Sequence, residues 1–178
     1  GDRVTMVRFA DVVADTWGPA AGSALGPGLL GHMAAPAPSG ARSTRLAAAT
    51  RWATRRVPSG GLAVVISDLW CSDDLGAALA PLARPRWEVL VLHVLAAGEL
   101  APPALGPVVL RDAETGRTLE VVVDEALAAR YRQAMNARLD RVRAAAAGRG
   151  ARHELVRGDW TLERAVVPYL LVRSVLHA

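Results

Sequence analysis

Six side chains that could do chemistry crowd into the end of one stretch, Leu62–Asp74, LAVVISDLWCSDD: Ser67, Asp68, Cys71, Ser72, Asp73 and Asp74. Carboxylates and hydroxyls together could hold a ligand or a metal ion. A thiol beside them could be a nucleophile, but only with a base in hydrogen-bond reach, most often histidine. His93 lies inside the apolar run Trp87–Leu95 and reads as a core residue. His32, His153 and His177 have no spacing that suggests a catalytic or zinc set. No Walker A loop and no G-x-G-x-x-G occurs, so no motif supports a nucleotide site. Asp68 is the carboxylate of greatest interest, because it falls where an apolar strand ends, and ligands of open α/β sheets bind at that edge. Asp73 and Asp74 suit a helix N-terminus, with Ser72 as a cap.

The elements that must position these groups follow from hydrophobic patterning. Leu62–Ile66 is a short apolar run after Gly60-Gly61, the pattern of a central strand covered on both faces. Leu75, Ala78, Leu79 and Leu82 repeat at helical spacing up to Arg84-Pro85. Trp87–Leu95 is a second buried strand, which makes a βαβ unit with a right-handed crossover. Upstream, Arg3–Phe9 alternates as a strand, Ala10-Asp11 turns, and Val12–Trp17 returns antiparallel to an edge at Gly18-Pro19. Residues 18–40 are rich in Gly, Ala and Pro, with a short helix over Leu25–Met33. Thr44–Arg56 reads as a helix, with Ser43 or Thr44 as its N-cap and Leu46, Ala49 and Ala53 on one face.

Beyond the second buried strand, Val108–Arg111 and Arg117–Val122 read as a small hairpin inserted over 96–123. Asp124 caps a long helix to Ala147, with Leu127, Tyr131, Met135, Leu139 and Val142 as its stripe. Arg152–Val156 is a last strand. A final helix starts at Asp159 or Thr161 and faces Leu162, Val166, Tyr169 and Leu170 inward. Pro168 falls inside it and predicts a kink or break, since an interior proline costs about 3 kcal/mol.

Composition bounds the function classes. A chain of 178 residues with 52% hydrophobic content fits one domain with a sizeable core. The formal charge is +4, and all 21 basic residues are arginine. With no lysine and much alanine, this reads as a codon bias and argues against nucleic acid, as does the lack of aromatic platforms between the arginines. Cys71 is the only cysteine, which fits a reducing, cytoplasmic compartment. The longest apolar stretch is broken by Pro168 and Arg173 and falls short of the roughly 20 residues that span a bilayer.

Five segments, GDRVTMVRFAD, STRLAAATRWATRR, GGLAVVISDLW, LRDAETGRTLEV and WTLERAVVPYLLVR, follow one another in order from residue 1 to 173. That order resembles the von Willebrand factor A-like domain, and more closely the C-terminal part of the bacterial domain-of-unknown-function 58 family. The resemblance implies a three-layer α/β fold: a mostly parallel open sheet with one antiparallel edge strand, plus the inserted hairpin. It treats 1–178 as a single domain and a C-terminal fragment of a longer chain. The family's first strand and helix, and its Asp-x-Ser-x-Ser motif, have no counterpart in these residues. The family's N-terminal region, often with membrane helices, would tether the domain to the inner membrane.

The resemblance further implies an incomplete metal-ion-dependent adhesion site. Thr44 falls at its Thr position and Asp68 at its last Asp position. No cofactor is expected in this chain alone, and Mg²⁺ only if the missing motif is supplied. The implied function is non-enzymatic: partnering a MoxR-class AAA+ ATPase in the assembly or activation of other proteins. Its contact surface would combine Asp68, Thr44, the 18–42 loop and the 96–123 insertion. The alternative is a hydrolase acting through Asp68 at the same edge.

Overall fold

The computed structural model describes residues 2–36, 44–71, 73–82, 85–102, 104–112 and 116–173. Ser43, Ser72, Arg84 and His177, which figured in the expectations above, lie outside them. The fold mixes helices with a mostly parallel three-stranded sheet and antiparallel pairs elsewhere. The chain divides into two compact units, residues 1–63 with 70–88, and residues 64–69 with 89–178.

In the first unit β1 (Val4–Phe9) and β2 (Val13–Ala20) pair antiparallel, with Val7 opposite Thr16. The return strand was expected to stop at Trp17, yet it runs through Gly18-Pro19 to Ala20. Glycine makes this possible: Gly18 sits at φ +92, and a Cβ there would lie 2.5 Å from the Val4 carbonyl. Arg8 pairs with Asp15 and donates to the carbonyls of Ala35 and Pro36, beyond the end of α1 (Leu25–Ala34). Gly60 is the second place where only glycine fits, since a Cβ there would sit 1.8 Å from the Arg86 carbonyl.

The helix expected from Thr44 is α2 (Leu46–Arg56), and its N-cap is Arg45, with no side-chain cap of its own. The expected Thr44 cap is therefore corrected. The carboxylate of Asp73 takes the role from a distant loop, accepting from the Ala47 amide at 2.9 Å. Asp74 caps α3 (Leu75–Leu79) through the Ala77 amide at 2.7 Å. A 3₁₀ turn over Ala80–Leu82 ends that helix earlier than its periodicity predicts, because Pro81 lacks a donor.

The buried face of α2 is Leu46, Ala49 and Thr50. It packs against α3, where Ala78 and Leu79 are buried. The Thr50 hydroxyl donates to the Ala78 carbonyl at 2.7 Å, beneath the surface. Thr50→Val keeps the shape and orphans that acceptor, so it should cost about 1–2 kcal/mol, read as a lower urea midpoint at unchanged slope.

β3 (Gly61–Ser67) runs on into the second unit, where β4 (Trp87–Leu95) lies between β3 and β7 (Arg152–Arg157). β4 and β7 are parallel, with Val91 opposite His153 and His93 opposite Leu155. Along β4 every second side chain is buried: Trp87, Val89, Val91, His93 and Leu95. β3 departs from expectation. Val65 is buried, but Leu62, Val64 and Ile66 are 64%, 46% and 63% exposed, so one face only is covered. A uniformly apolar run does not report which faces are covered, and β3 is the edge of its sheet among the described residues.

The described strands make three sheets, of two, three and two strands. A short helix α4 (Ala97–Leu100) precedes the pair β5 (Gly106–Arg111) and β6 (Thr118–Val123), which are antiparallel.

α5 (Glu125–Ala147) is capped by Asp124 and buries Ala128, Met135, Val142 and Ala146, packing against β7. Pro168 breaks the last helix as expected. A π-helical turn over Leu162–Val166 precedes α6 (Val167–Val172), which places the proline in the first turn, where no amide is needed. Leu162, expected to face inward, is exposed, because the π turn rotates it out of the stripe that buries Leu170.

Candidate functional site

The site is built at the carboxyl end of β3, wholly within the second unit. Ser67 closes the strand and its hydroxyl oxygen accepts from the Leu69 amide at 3.0 Å. Asp68 is exposed and Leu69 is buried at φ +55. A leucine in this left-handed region costs about 1–2 kcal/mol, so surrounding contacts must hold it there. Three groups do. The Ser67 hydroxyl fixes the amide of Leu69, Arg138 of α5 donates to its carbonyl at 2.5 Å, and His93 of β4 engages the Asp68 carbonyl at 3.0 Å.

A carbonyl only accepts, so His93 Nε2 carries the proton. Neutral His93 then offers Nδ1 as an acceptor, and His153 Nε2 lies 3.3 Å from it. His153 must donate, which fixes both rings as Nε2–H tautomers. The rings meet edge to face, with centroids 5.4 Å apart. The result is a directed chain: His153 to His93 to the Asp68 backbone. Both carbonyls of the turn are tied inward while the Asp68 side chain stays at the surface.

Electrostatics agrees with neutral rings. Burial lowers the His93 pKa and Arg138 adds to this, opposed by the bond to the Asp68 carbonyl and by the charges of Asp68 and Glu99. Burial is also the largest cause for His153, followed by His93 and Arg143, and it is pushed down to about 4 against the pull of Glu154. Histidines with depressed native values bind fewer protons folded than unfolded. Their contribution is complete above the unfolded value near 6.5 and is lost as pH falls toward 4. The urea midpoint should therefore drop between pH 6.5 and 4, and His153→Gln, which keeps a donor for His93, should flatten that drop.

Thr44, Cys71, Asp73 and Asp74 belong to the first unit. Thr44 precedes α2 in the first unit, whereas Asp68 belongs to the second. Asp73 and Asp74 are engaged in capping. The Cys71 thiol lies 3.8 Å from the Asp73 carbonyl oxygen. Among the described residues no three His, Cys, Asp or Glu gather where they could hold a metal ion. The residue that sequence reasoning missed is His153. It reaches His93 only through the parallel register of β4 and β7, and no spacing along the chain encodes that.

These features define an α/β protein with a fixed, acidic turn at a strand end. The pattern of the family described as "Protein of unknown function DUF58" matches residues 1–142, and the chain belongs to that family. The uncharacterised protein MAV169 of Mycobacterium avium is 42% identical over 67 residues, 38% of this chain and 39% of the relative. The match thus spans well under half the length of that relative. No solved structure matches the chain. No described helix is long and apolar enough to cross a membrane.

Proposed function

We propose that this chain is a von Willebrand factor A-like interaction domain that presents Asp68 to a protein partner, and that the partner is a MoxR-class AAA+ ATPase acting in the assembly or activation of other proteins. The observation that carries the reading is the turn itself. An exposed carboxylate sits on backbone whose two carbonyls are held by His93 and Arg138, in a conformation leucine does not choose alone. A rigid presented acid suits recognition, since little ordering cost remains for binding. The lone Cys71 fits a cytoplasmic setting.

Asp68 and Thr44 are two oxygen donors, and an octahedral Mg²⁺ needs more than two ligands. They do not by themselves fit the ion. The Asp-x-Ser-x-Ser motif that the resemblance places upstream would have to supply the remaining oxygen ligands.

Hydrolysis through Asp68 is less well supported. His93 already donates one ring nitrogen to a carbonyl and accepts at the other, so it does not serve as a base. The test is retention of a purified MoxR-class ATPase on immobilised chain, alongside a panel of ester and phosphoester substrates. Retention without turnover supports the proposal, and turnover abolished by Asp68→Asn replaces it with the hydrolase.

A further inference from the structure

The β5–β6 pair forms a sheet of its own, with neither outer edge paired among the described residues. A two-stranded hairpin is marginal in water, and this one shows apolar side chains to solvent: Val109 is 63% and Val122 is 69% exposed. The register sets Pro107 opposite Val122, Val109 opposite Glu120 and Arg111 opposite Thr118, so these six share one face. A shallow groove of about 250 Å³ is lined by Pro107, Val109, Glu120 and Val122 of this face together with Val108 and Val121.

Three features say what would cover this face. Pro107 lacks an N–H and blunts the β5 edge, whereas Thr118–Val123 is free of proline and leaves β6 an unbroken row of donors and acceptors. Side chains of a strand added there would continue the Val122–Glu120 face. Glu120 is exposed in the middle of that face and makes no ion pair among the described residues. Along β6 the carboxylate stands between Thr118 and Val122, with Val109 opposite it on β5, a setting complementary to a cation with apolar neighbours.

We infer that the β6 edge is a strand-capture site: it takes an extended partner segment whose apolar side chains flank one Lys or Arg set against Glu120. This rests on the reading of the chain as an interaction domain, but its test needs no ATPase. The probe is a fluorescein-labelled peptide with valine, lysine and valine on one face and threonines on the other, titrated into the full chain by anisotropy. A matched peptide carries glutamate for lysine, and a third carries a central proline.

The lysine peptide should bind about tenfold more tightly than the glutamate peptide, the ratio expected of one interfacial charge pair. Glu120→Lys should reverse that preference, Val122→Asp should weaken both peptides, and the proline peptide should not bind. Glu120 and Val122 are exposed, so neither change disturbs a core, and circular dichroism checks that the variants fold. Equal affinity for the two charges, or an unchanged preference in Glu120→Lys, would overturn the inference. So would sedimentation showing a dimer that Val122→Asp dissolves, since the face would then be covered by a second copy.

Discussion

His93→Leu is expected to destabilise the chain by about 2–4 kcal/mol although leucine fills similar space, because two buried hydrogen bonds go at once. The Asp68 carbonyl loses its donor and His153 Nε2 loses its acceptor. Packing changes little beside this, since His93 is fully buried and leucine fills about the same space with a more apolar side chain. The variant should also free the turn. Amide exchange at Leu69 should quicken beyond the global change in stability, because one of three groups holding its left-handed backbone is gone. Urea unfolding and residue-resolved hydrogen exchange read the two effects separately. A loss under 1 kcal/mol with unchanged exchange would mean that the turn holds itself.

The second large effect concerns Glu154, 2% exposed on β7. Its carboxylate accepts from Arg173 at 3.0 Å, Tyr169 at 3.2 Å and Arg152 at 3.4 Å. The two arginines are half-exposed, so the partners differ in what removing them leaves behind. Arg152→Ala with Arg173→Ala strands a carboxylate under the surface, and an unpaired buried charge costs on the order of 3–5 kcal/mol. Glu154→Leu instead leaves two arginines that water can solvate. It should be far milder, as replacing a buried ion by an apolar group of similar volume often is. Thermal melts of both variants check the order. If Glu154→Leu proves the more damaging, the triad contributes attraction well beyond its desolvation cost.

The parts of the fold set by local pattern were legible in the sequence. The bounds of β4 could be read directly from WEVLVLHVL, because a mostly apolar stretch shortly after Pro85 and ended by Ala96-Ala97 has few other readings. α5 followed from its Asp124 cap and its heptad-like stripe through Met135 and Val142. Features set by distant pairing were not legible. Asp73 caps a helix that begins before it in the chain, and His153 meets His93 through sheet register. The bare face of β3 was hidden for a related reason: Leu62, Val64 and Ile66 look the same in sequence whether or not another element covers them. Within the site, Asp68 was singled out by its place at a strand end, whereas the apparatus that fixes its backbone was invisible.

The presented carboxylate is tested most directly by titration calorimetry of the full chain with a MoxR-class ATPase, wild type against Asp68→Asn. The side chain is exposed and the Asp68 carbonyl is held by His93, so the variant should stay folded, which circular dichroism checks. Affinity should fall at least about tenfold, the loss expected from one charged interface contact. Equal affinity for the two proteins, with both folded, would contradict the role assigned to Asp68.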